Sequence, residues 1–477
     1  MPTSSPRPGR VFPVARAVVI GAGVSGLAAA WRLQRHGVRV TVVEATDHVG
    51  GQVRTVPFDG RAVDVGAEGL HLAGTSTATT LAQLGLLESA VSARTGGTWL
   101  ERGGRLRRLP EGVGPAGPTR LQPVLASGVL SPLALARAGL EPLLARRRVV
   151  GDVAVGDFVA RRFGRQVVDR FVDPLLGGIH AGDVGRLSLA ACAPQLVDVA
   201  AQGRSIVLRR RSPAPTSPPS GQTPTGLVSW PDGLQRLPAE LASRLTEPVR
   251  LGEAVRALGW RGTTACEVEL ASGEILDADV VVLATPATVA ADLLAPTAPG
   301  AAAALRLVQT ASVATVIASF AHPLLAQHPA LRGTGILLPS GGGHLLRAAT
   351  FLSTKWPHLT GDQPLVRLSA GRAGDPRLDT LTDDALADRL VAELGTLLGL
   401  RLEPSEVSVH RWPRSMPQQE VGHRQLVATA RERLVDLPQV ALAGASYDGV
   451  GVAACLRSGE LAAEALLGRS AAAQVVA

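Results

Sequence analysis

Cysteine is scarce: three in 477 residues, at Cys192, Cys266 and Cys455, odd in number, far apart and in no CxxC spacing. That excludes a disulfide framework and a zinc site, fits a reducing cytoplasm, and leaves no metal expected. Aromatic residues number only 14 and do not interleave with basic ones, and no compact Lys/Arg run exceeds three residues. A nucleic-acid-binding surface is therefore not expected. No apolar run approaches the roughly 20 residues that a membrane-spanning helix needs. The first 16 residues, rich in Ser, Pro and Arg, lack the apolar stretch of a secretory signal. The expectation is a cytoplasmic protein whose membrane contact, if it has any, is peripheral and on the inner face of the cell membrane.

Charged residues make up only 18% against 46% hydrophobic, a globular balance, and 477 residues exceed one typical domain. The net charge of +8 favours anionic ligands or an anionic membrane surface. An arginine-rich compositional bias accounts for it equally well.

The apolar run Ala17 to Ile20 enters a glycine turn, after which Leu27, Ala28, Ala30, Trp31 and Leu33 mark the buried face of a helix, and Val38 to Val43 reads as a second strand. This is a βαβ unit of a parallel sheet. Its turn is Gly21-Ala22-Gly23-Val24-Ser25-Gly26. Gly21 permits the tight turn, Gly23 lets backbone approach a diphosphate, and Gly26 allows close helix packing. The diphosphate of a dinucleotide then meets free N–H groups at a helix start, and Glu44, ending the second strand, can accept from ribose hydroxyls. Two further buried strands, Asp279 to Ala284 before Thr285-Pro286 and Val440 to Ala443 before Gly444, fit the same sheet. There is no internal repeat, and Arg209 to Thr225, with five prolines and six Ser/Thr, predicts a loop. The expected fold class is α/β with α+β lobes attached. A discontinuous Rossmann-like domain takes residues 1–82, 226–300 and 403–477. Residues 83–225 form a helical, substrate-binding and membrane-facing lobe, and residues 301–402 a substrate-binding lobe.

NAD and FAD share the glycine turn, so the choice between them needs a second signal. Glu44-Ala45 continues through His48-Val49-Gly50-Gly51-Gln52-Val53-Arg54-Thr55 to Asp64-Val65-Gly66-Ala67-Glu68-Gly69. These segments resemble the flavin-containing amine oxidase and protoporphyrinogen oxidase superfamily. Asp173 to Asp183 (DPLLGGIHAGD), Trp230-Pro231-Asp232-Gly233-Leu234, Gly252 to Val255, Ala348 to Pro357, Arg411 to Gln418 with Val421-Gly422-His423, and Leu442 to Val452 are similar to its porphyrinogen oxidase branch. The resemblance implies FAD, held by Gly21 to Gly26, Glu44, Ala45, Gly50, Gly51, Gly66, Ala67, Glu68, Gly69, Val255, Trp412, Gly444, Val450, Gly451 and Val452. It implies a porphyrinogen as substrate, oxidised by six electrons in three rounds with O2 as acceptor and H2O2 as product. In each round a hydride leaves a ring methylene carbon for the flavin. Within the branch, coproporphyrinogen III oxidases of Gram-positive bacteria are favoured over protoporphyrinogen IX oxidases, because Thr98 stands where the latter carry an arginine.

Departures leave roles open. His180 replaces a Tyr or Phe of the family and Gln419 a Tyr. His180 and Tyr447 are candidate catalytic groups, although packing accounts for both. Arg102, Arg105, Arg107 and Arg108 are candidate partners of substrate propionates, or solvated loop charges. Leu121 to Arg148, apolar with Arg137 and a terminal Arg146-Arg147-Arg148 run, predicts a helix against anionic lipid or an amphipathic core helix. Another flavin oxidase of the superfamily, and a non-catalytic flavoprotein partner of a haem-pathway enzyme, stay open as alternatives.

Overall fold

The sheet expected from the glycine turn is assembled from three distant parts of the chain. The computed structural model describes residues 14–72, 75–208, 226–261 and 265–475; the loop expected at 209–225 lies outside the described residues. Strands β1 (Arg16–Ile20), β2 (Arg39–Val43), β3 (Val280–Leu283) and β4 (Val440–Leu442) lie side by side, all parallel, in the order β2-β1-β3-β4. Their continuous apolar runs follow from burial on both faces. Ala17 and Val19 pack with Val40, Val42, Val280 and Val282 into one core, while Val18 and Ile20 pack with Val43, Val281, Leu283 and Leu442 into another. The first core is covered by helices α1 (Val24–Gln34) and α2 (Val452–Val475), which approach so closely that a Cβ on Gly459 would lie 2.0 Å from the Ser25 carbonyl oxygen.

A seven-stranded sheet stands against this domain, in the order Glu406–Pro417, Thr310–Ser319, Leu365–Ala370, Leu346–Phe351, Gly335–Leu337, Thr98–Arg102, Arg105–Arg108. Helix Asp383–Leu398 covers one face, burying Leu390 and Leu394 against Val316, Leu368 and Phe351. The expected lobe boundaries cut through this sheet. Thr98–Arg102, expected within the helical lobe, pairs in parallel with Gly335–Leu337, and Glu406–Pro417 pairs with Thr310–Ser319 rather than with the nucleotide sheet.

Residues 122–201 form short helices around Val124, Phe158, Phe163 and Phe171. The single helix expected over Leu121 to Arg148 is three: Gln122–Ser127, Pro132–Gly139 and Glu141–Leu144. Gly128 ends the first in the left-handed region at φ 62°. The Ser131 side chain then caps the second, accepting from Ala134 N at 3.3 Å, with Pro132 at its first position. Among the described residues, no helix is long and apolar enough to cross a membrane.

Candidate functional site

All four parallel strands end at one edge of their sheet, and α1 and α2 begin there, which is where open α/β sheets take ligands. Gly21 has φ 103°, and a Cβ on it would lie 2.7 Å from the Ala284 carbonyl oxygen. On Gly26 a Cβ would come within 1.9 Å of the Gly21 carbonyl oxygen, whereas on Gly23 it would meet nothing within 4 Å. The turn is therefore closed towards the sheet and open on the outside. The first intrahelical bond of α1 runs from Leu27 N to the Gly23 carbonyl at 3.0 Å. The preceding N–H groups of Val24, Ser25 and Gly26 are thus free of helical partners and face the opening. Negative charge belongs there, because those N–H groups and the helix dipole act together.

The acid is placed for a ribose. Glu44 accepts from Ala22 N at 2.8 Å and from Thr46 N at 2.9 Å, which fixes its carboxylate beside the turn with acceptor capacity to spare. Ala45 is exposed beside it, and Glu253 N donates to the Glu44 carbonyl at 2.8 Å, bringing Gly252 to Val255 alongside. The double glycine lies on the other flank: Gly50 N donates to the Ala22 carbonyl at 2.8 Å, and a Cβ on Gly51 would sit 3.5 Å from Gly23 Cα.

From there the cradle runs into the loop Gly66 to Gly69. Ala67 N donates to the Gln52 carbonyl at 2.8 Å, and a Cβ on Gly66 would lie 2.0 Å from that oxygen. The seven-stranded sheet pins the same loop. Arg367 donates to the Gly66 carbonyl at 2.7 Å, and the Trp412 indole donates to the Val65 carbonyl at 3.2 Å. Glu68 accepts from Trp356 Nε1 at 2.7 Å and from Lys355 Nζ at 2.8 Å, with Arg367 at 3.9 Å. Burial alone would raise the Glu68 carboxyl, but Lys355 and Arg367 hold it below the usual carboxylate range. Asp64 differs: burial pushes it up to about 6, against the opposing donors Thr55 and Leu234. At the far end, Gly444 and Gly449 have φ 131° and 130°, and a Cβ on Gly451 would meet nothing within 4 Å, so the turn into α2 is open as well. The Ser25 hydroxyl donates to the Cys455 carbonyl at 2.8 Å and ties the two helix starts together. The structure thus gathers Gly21 to Gly26, Glu44, Gly50, Gly51, Gly66 to Gly69, Val255, Trp412 and Gly444 to Val452 around one cradle.

Lys355 and Arg367 were not expected here. Lys355 is the only lysine in a chain whose other cationic side chains are arginine, and that singularity was the available signal. Arg367 carried none, because its role depends on the sheet register.

Beyond the cradle, a cavity of about 880 Å³ opens between the edge of the seven-stranded sheet and the π-helical stretch Val168–Gly177, lined by Glu101, Arg170, Asp173, Ser340 and Arg372 among others. A smaller pocket shares Asp173, Ser340 and Arg372 and continues to Gly177, Gly178 and Gly182.

Neither catalytic candidate lines these spaces. Tyr447 is 4% exposed within the core under the parallel sheet, and its hydroxyl donates to the Thr285 carbonyl at 3.2 Å, so it packs. Burial raises its phenol above the ordinary range. His180 is 6% exposed, with Nδ1 3.9 Å from Cys192 Sγ, and burial pushes it down to about 4. Cys192 itself is raised to about 12 by burial and is a thiol, not a thiolate. Nor do the four candidate arginines reach the large cavity. Arg105 and Arg107 are exposed on the edge strand, Arg102 donates to the Gly128 carbonyl, and Arg108 lies 5.2 Å over the Trp99 ring. Among the described residues, no group of three or more His, Cys, Asp or Glu could hold a metal ion.

A glycine turn, an acid beside it and a second helix start at the same sheet edge define a Rossmann-like fold of the dinucleotide-binding class. Within that class, the family model of flavin-containing amine oxidoreductases matches residues 24–467, and the chain belongs to that family. The cofactor is therefore a flavin. The chain is 34% identical to a coproporphyrinogen III oxidase of Mycobacterium leprae, over 94% of this chain and 97% of that one. It is 31% identical to a coproporphyrinogen III oxidase of Bacillus subtilis, over 93% and 96%. A crystal structure from Exiguobacterium sp. 255-15, provisionally named a protoporphyrinogen oxidase, superposes with a TM-score of 0.83 at 27% identity, covering 95% of this chain and 99% of that one.

Proposed function

We propose that this protein is an FAD-dependent oxidase that converts coproporphyrinogen III to coproporphyrin III in haem biosynthesis. The observation that carries the reading is that two relatives bearing that activity in their names align with nearly the whole chain at 31% and 34% identity. The cradle supports the dinucleotide form of the flavin, because a diphosphate turn and a ribose acid have no use for a mononucleotide. When bound, FAD supplies the two-electron acceptor for each of three rounds and is reoxidised by O2 with release of H2O2. The chain's own part is orientation. Val24 to Gly26 hold the diphosphate, Glu44 the ribose, and the loop Gly66 to Gly69, clamped by Arg367, Lys355 and Trp412, fixes the flavin end. Among the described residues, no nucleophile and base stand together in the site, which suits chemistry that asks the protein for positioning and exclusion of water.

Protoporphyrinogen IX is the second reading, favoured by the name of the Exiguobacterium structure. The test is anaerobic mixing of the yellow holoenzyme with each porphyrinogen in turn. Bleaching of the flavin with growth of porphyrin fluorescence, faster for coproporphyrinogen III, is expected; a flavin left unbleached by both overturns the assignment.

The same proposal includes peripheral contact with an anionic membrane surface. Its support is the helical lobe, where Leu125, Leu133, Leu140, Leu143 and Val150 are exposed beside exposed Arg146, Arg147 and Arg148.

A further inference from the structure

The large cavity holds guanidinium groups that its own carboxylates leave short of hydrogen-bond acceptors. Each of its four carboxylates already has a donor: Glu101 accepts from Gly104 N at 2.8 Å, Asp169 from Arg165 Nε at 2.9 Å, Asp173 from Ser340 N at 2.6 Å, and Asp183 from Gly185 N at 2.9 Å. Two of its guanidinium groups are less committed. Half-buried Arg170 has no hydrogen bond or ion pair among the described residues. Arg372, with its side chain 17% exposed, is held only at ion-pair distances, 3.4 Å from Asp173 and 3.6 Å from Asp183, and its guanidinium makes no hydrogen bond to a described residue. A guanidinium carries five N–H donors in a planar fork that matches a carboxylate. Arg170 and Arg372 are therefore the cationic donors of this wall with capacity to spare, and the ligand group complementary to them is an anionic acceptor.

The backbone explains how Arg372 gets there. Strand Leu365–Ala370 sends Leu368 and Ala370 into the core beneath helix Asp383–Leu398 and turns Arg367 to the Gly66 loop at the flavin end. At its exit Gly371, with φ 99°, breaks the alternation, because a Cβ there would lie 2.4 Å from the Ser312 carbonyl oxygen. Arg372 then follows just beyond the strand that carries Arg367. The smaller pocket that adjoins the large cavity is open at Gly178, where a Cβ would meet nothing within 4 Å, and neighbouring Ile179 is 54% exposed.

We infer that Arg170 and Arg372 form a carboxylate-recognition site in this cavity, which holds a peripheral carboxylate of the macrocyclic substrate and so orients the ring relative to the flavin. The inference rests on the porphyrinogen reading above. It moves the expected propionate contact from Arg102, Arg105, Arg107 and Arg108, which do not line the cavity, to two arginines that do.

The test uses holoenzyme and two inert porphyrins, coproporphyrin III and its tetramethyl ester, with binding read from quenching of porphyrin fluorescence. In Arg170→Met and Arg372→Met, coproporphyrin III should bind at least ten-fold more weakly, the scale of one lost hydrogen-bonded charge pair. Ester binding should stay within about two-fold of wild type, and the flavin absorbance should be unchanged. KM for coproporphyrinogen III should rise with little change in kcat, and Arg372→Lys should recover part of the loss. Equal weakening of acid and ester, or no weakening of either, overturns the inference alone. A wild type that neither binds coproporphyrin III nor oxidises coproporphyrinogen III overturns the proposed function, and this inference with it.

Discussion

Burial, without a charged partner, sets the state of His180. Its pKa falls from an ordinary 6.5 to about 4, so the folded protein refuses a proton that the unfolded chain accepts between those values. The stability that depends on the neutral ring is fully present above about pH 6.5 and is lost as pH falls towards 4. At pH 5 the loss amounts to about 2 kcal/mol. His180→Gln should therefore flatten the acid side of the unfolding profile, closing most of that gap between pH 7.5 and pH 5. Because His180 faces Cys192 and lines neither cavity, turnover of the variant should stay within about three-fold, with the pH profile of kcat unmoved. A hundred-fold loss of kcat with the stability profile unchanged would restore the proton-shuttle role. A sequence motif gives the position of such a residue along the chain but not which wall its ring faces.

At the scale of elements, the second and third glycines of the turn after β1 separate folding from binding. Gly23 has φ −69° and ψ 174°, a conformation open to alanine, and its Cβ would touch no protein atom within 4 Å. Gly23→Ala should leave the apoprotein's melting temperature within about 1 °C and still weaken FAD by ten-fold or more, because the added methyl stands where backbone must approach a diphosphate. Gly26→Ala places its methyl 1.9 Å from a backbone oxygen that cannot move without moving β1. It should therefore lower the apoprotein's stability as well, by about 1–3 kcal/mol. Flavin titration alongside thermal unfolding separates the two outcomes, and equal melting temperatures for the two variants would contradict the geometry. This part of the site was legible because a βαβ turn is local: strand, glycines, helix and acid fall within Ala17 to Glu44. The seven-stranded sheet was not, since its strands are brought together by non-local pairing such as Thr98–Arg102 beside Gly335–Leu337. Arg367, Arg170 and Arg372 owe their positions to that register and to the cavity beside it. The helix expected over Leu121 to Arg148 failed for a local reason that could have been read, Gly128 and Ser131-Pro132 being a stop and a start within four residues.

For the whole molecule, the distribution of exposed apolar side chains is uneven. Five of the sixteen large exposed hydrophobics among the described residues fall between positions 125 and 150, with Leu133 at 83% and Val150 at 94% exposure. The acid of that stretch, Glu141, is fully buried against Arg162 at 3.1 Å, while Arg146, Arg147 and Arg148 are exposed. Its outward charge is therefore wholly positive. Each arginine near an anionic bilayer contributes about 1 kcal/mol and each buried leucine about 1.5–3 kcal/mol, so three arginines with two leucines suffice for reversible attachment without a spanning helix. Holoenzyme should co-sediment with vesicles containing phosphatidylglycerol, release as salt rises past the screening range, and ignore pure phosphatidylcholine. Leu133→Ser with Leu143→Ser should weaken that binding at least ten-fold while flavin content and coproporphyrinogen turnover in solution stay at wild-type levels, because neither residue touches the cradle or the cavity wall. Binding that depends on the arginines but not on the leucines would reduce the contact to electrostatic adsorption, and binding to neither kind of vesicle would leave this lobe's apolar surface without a lipid role.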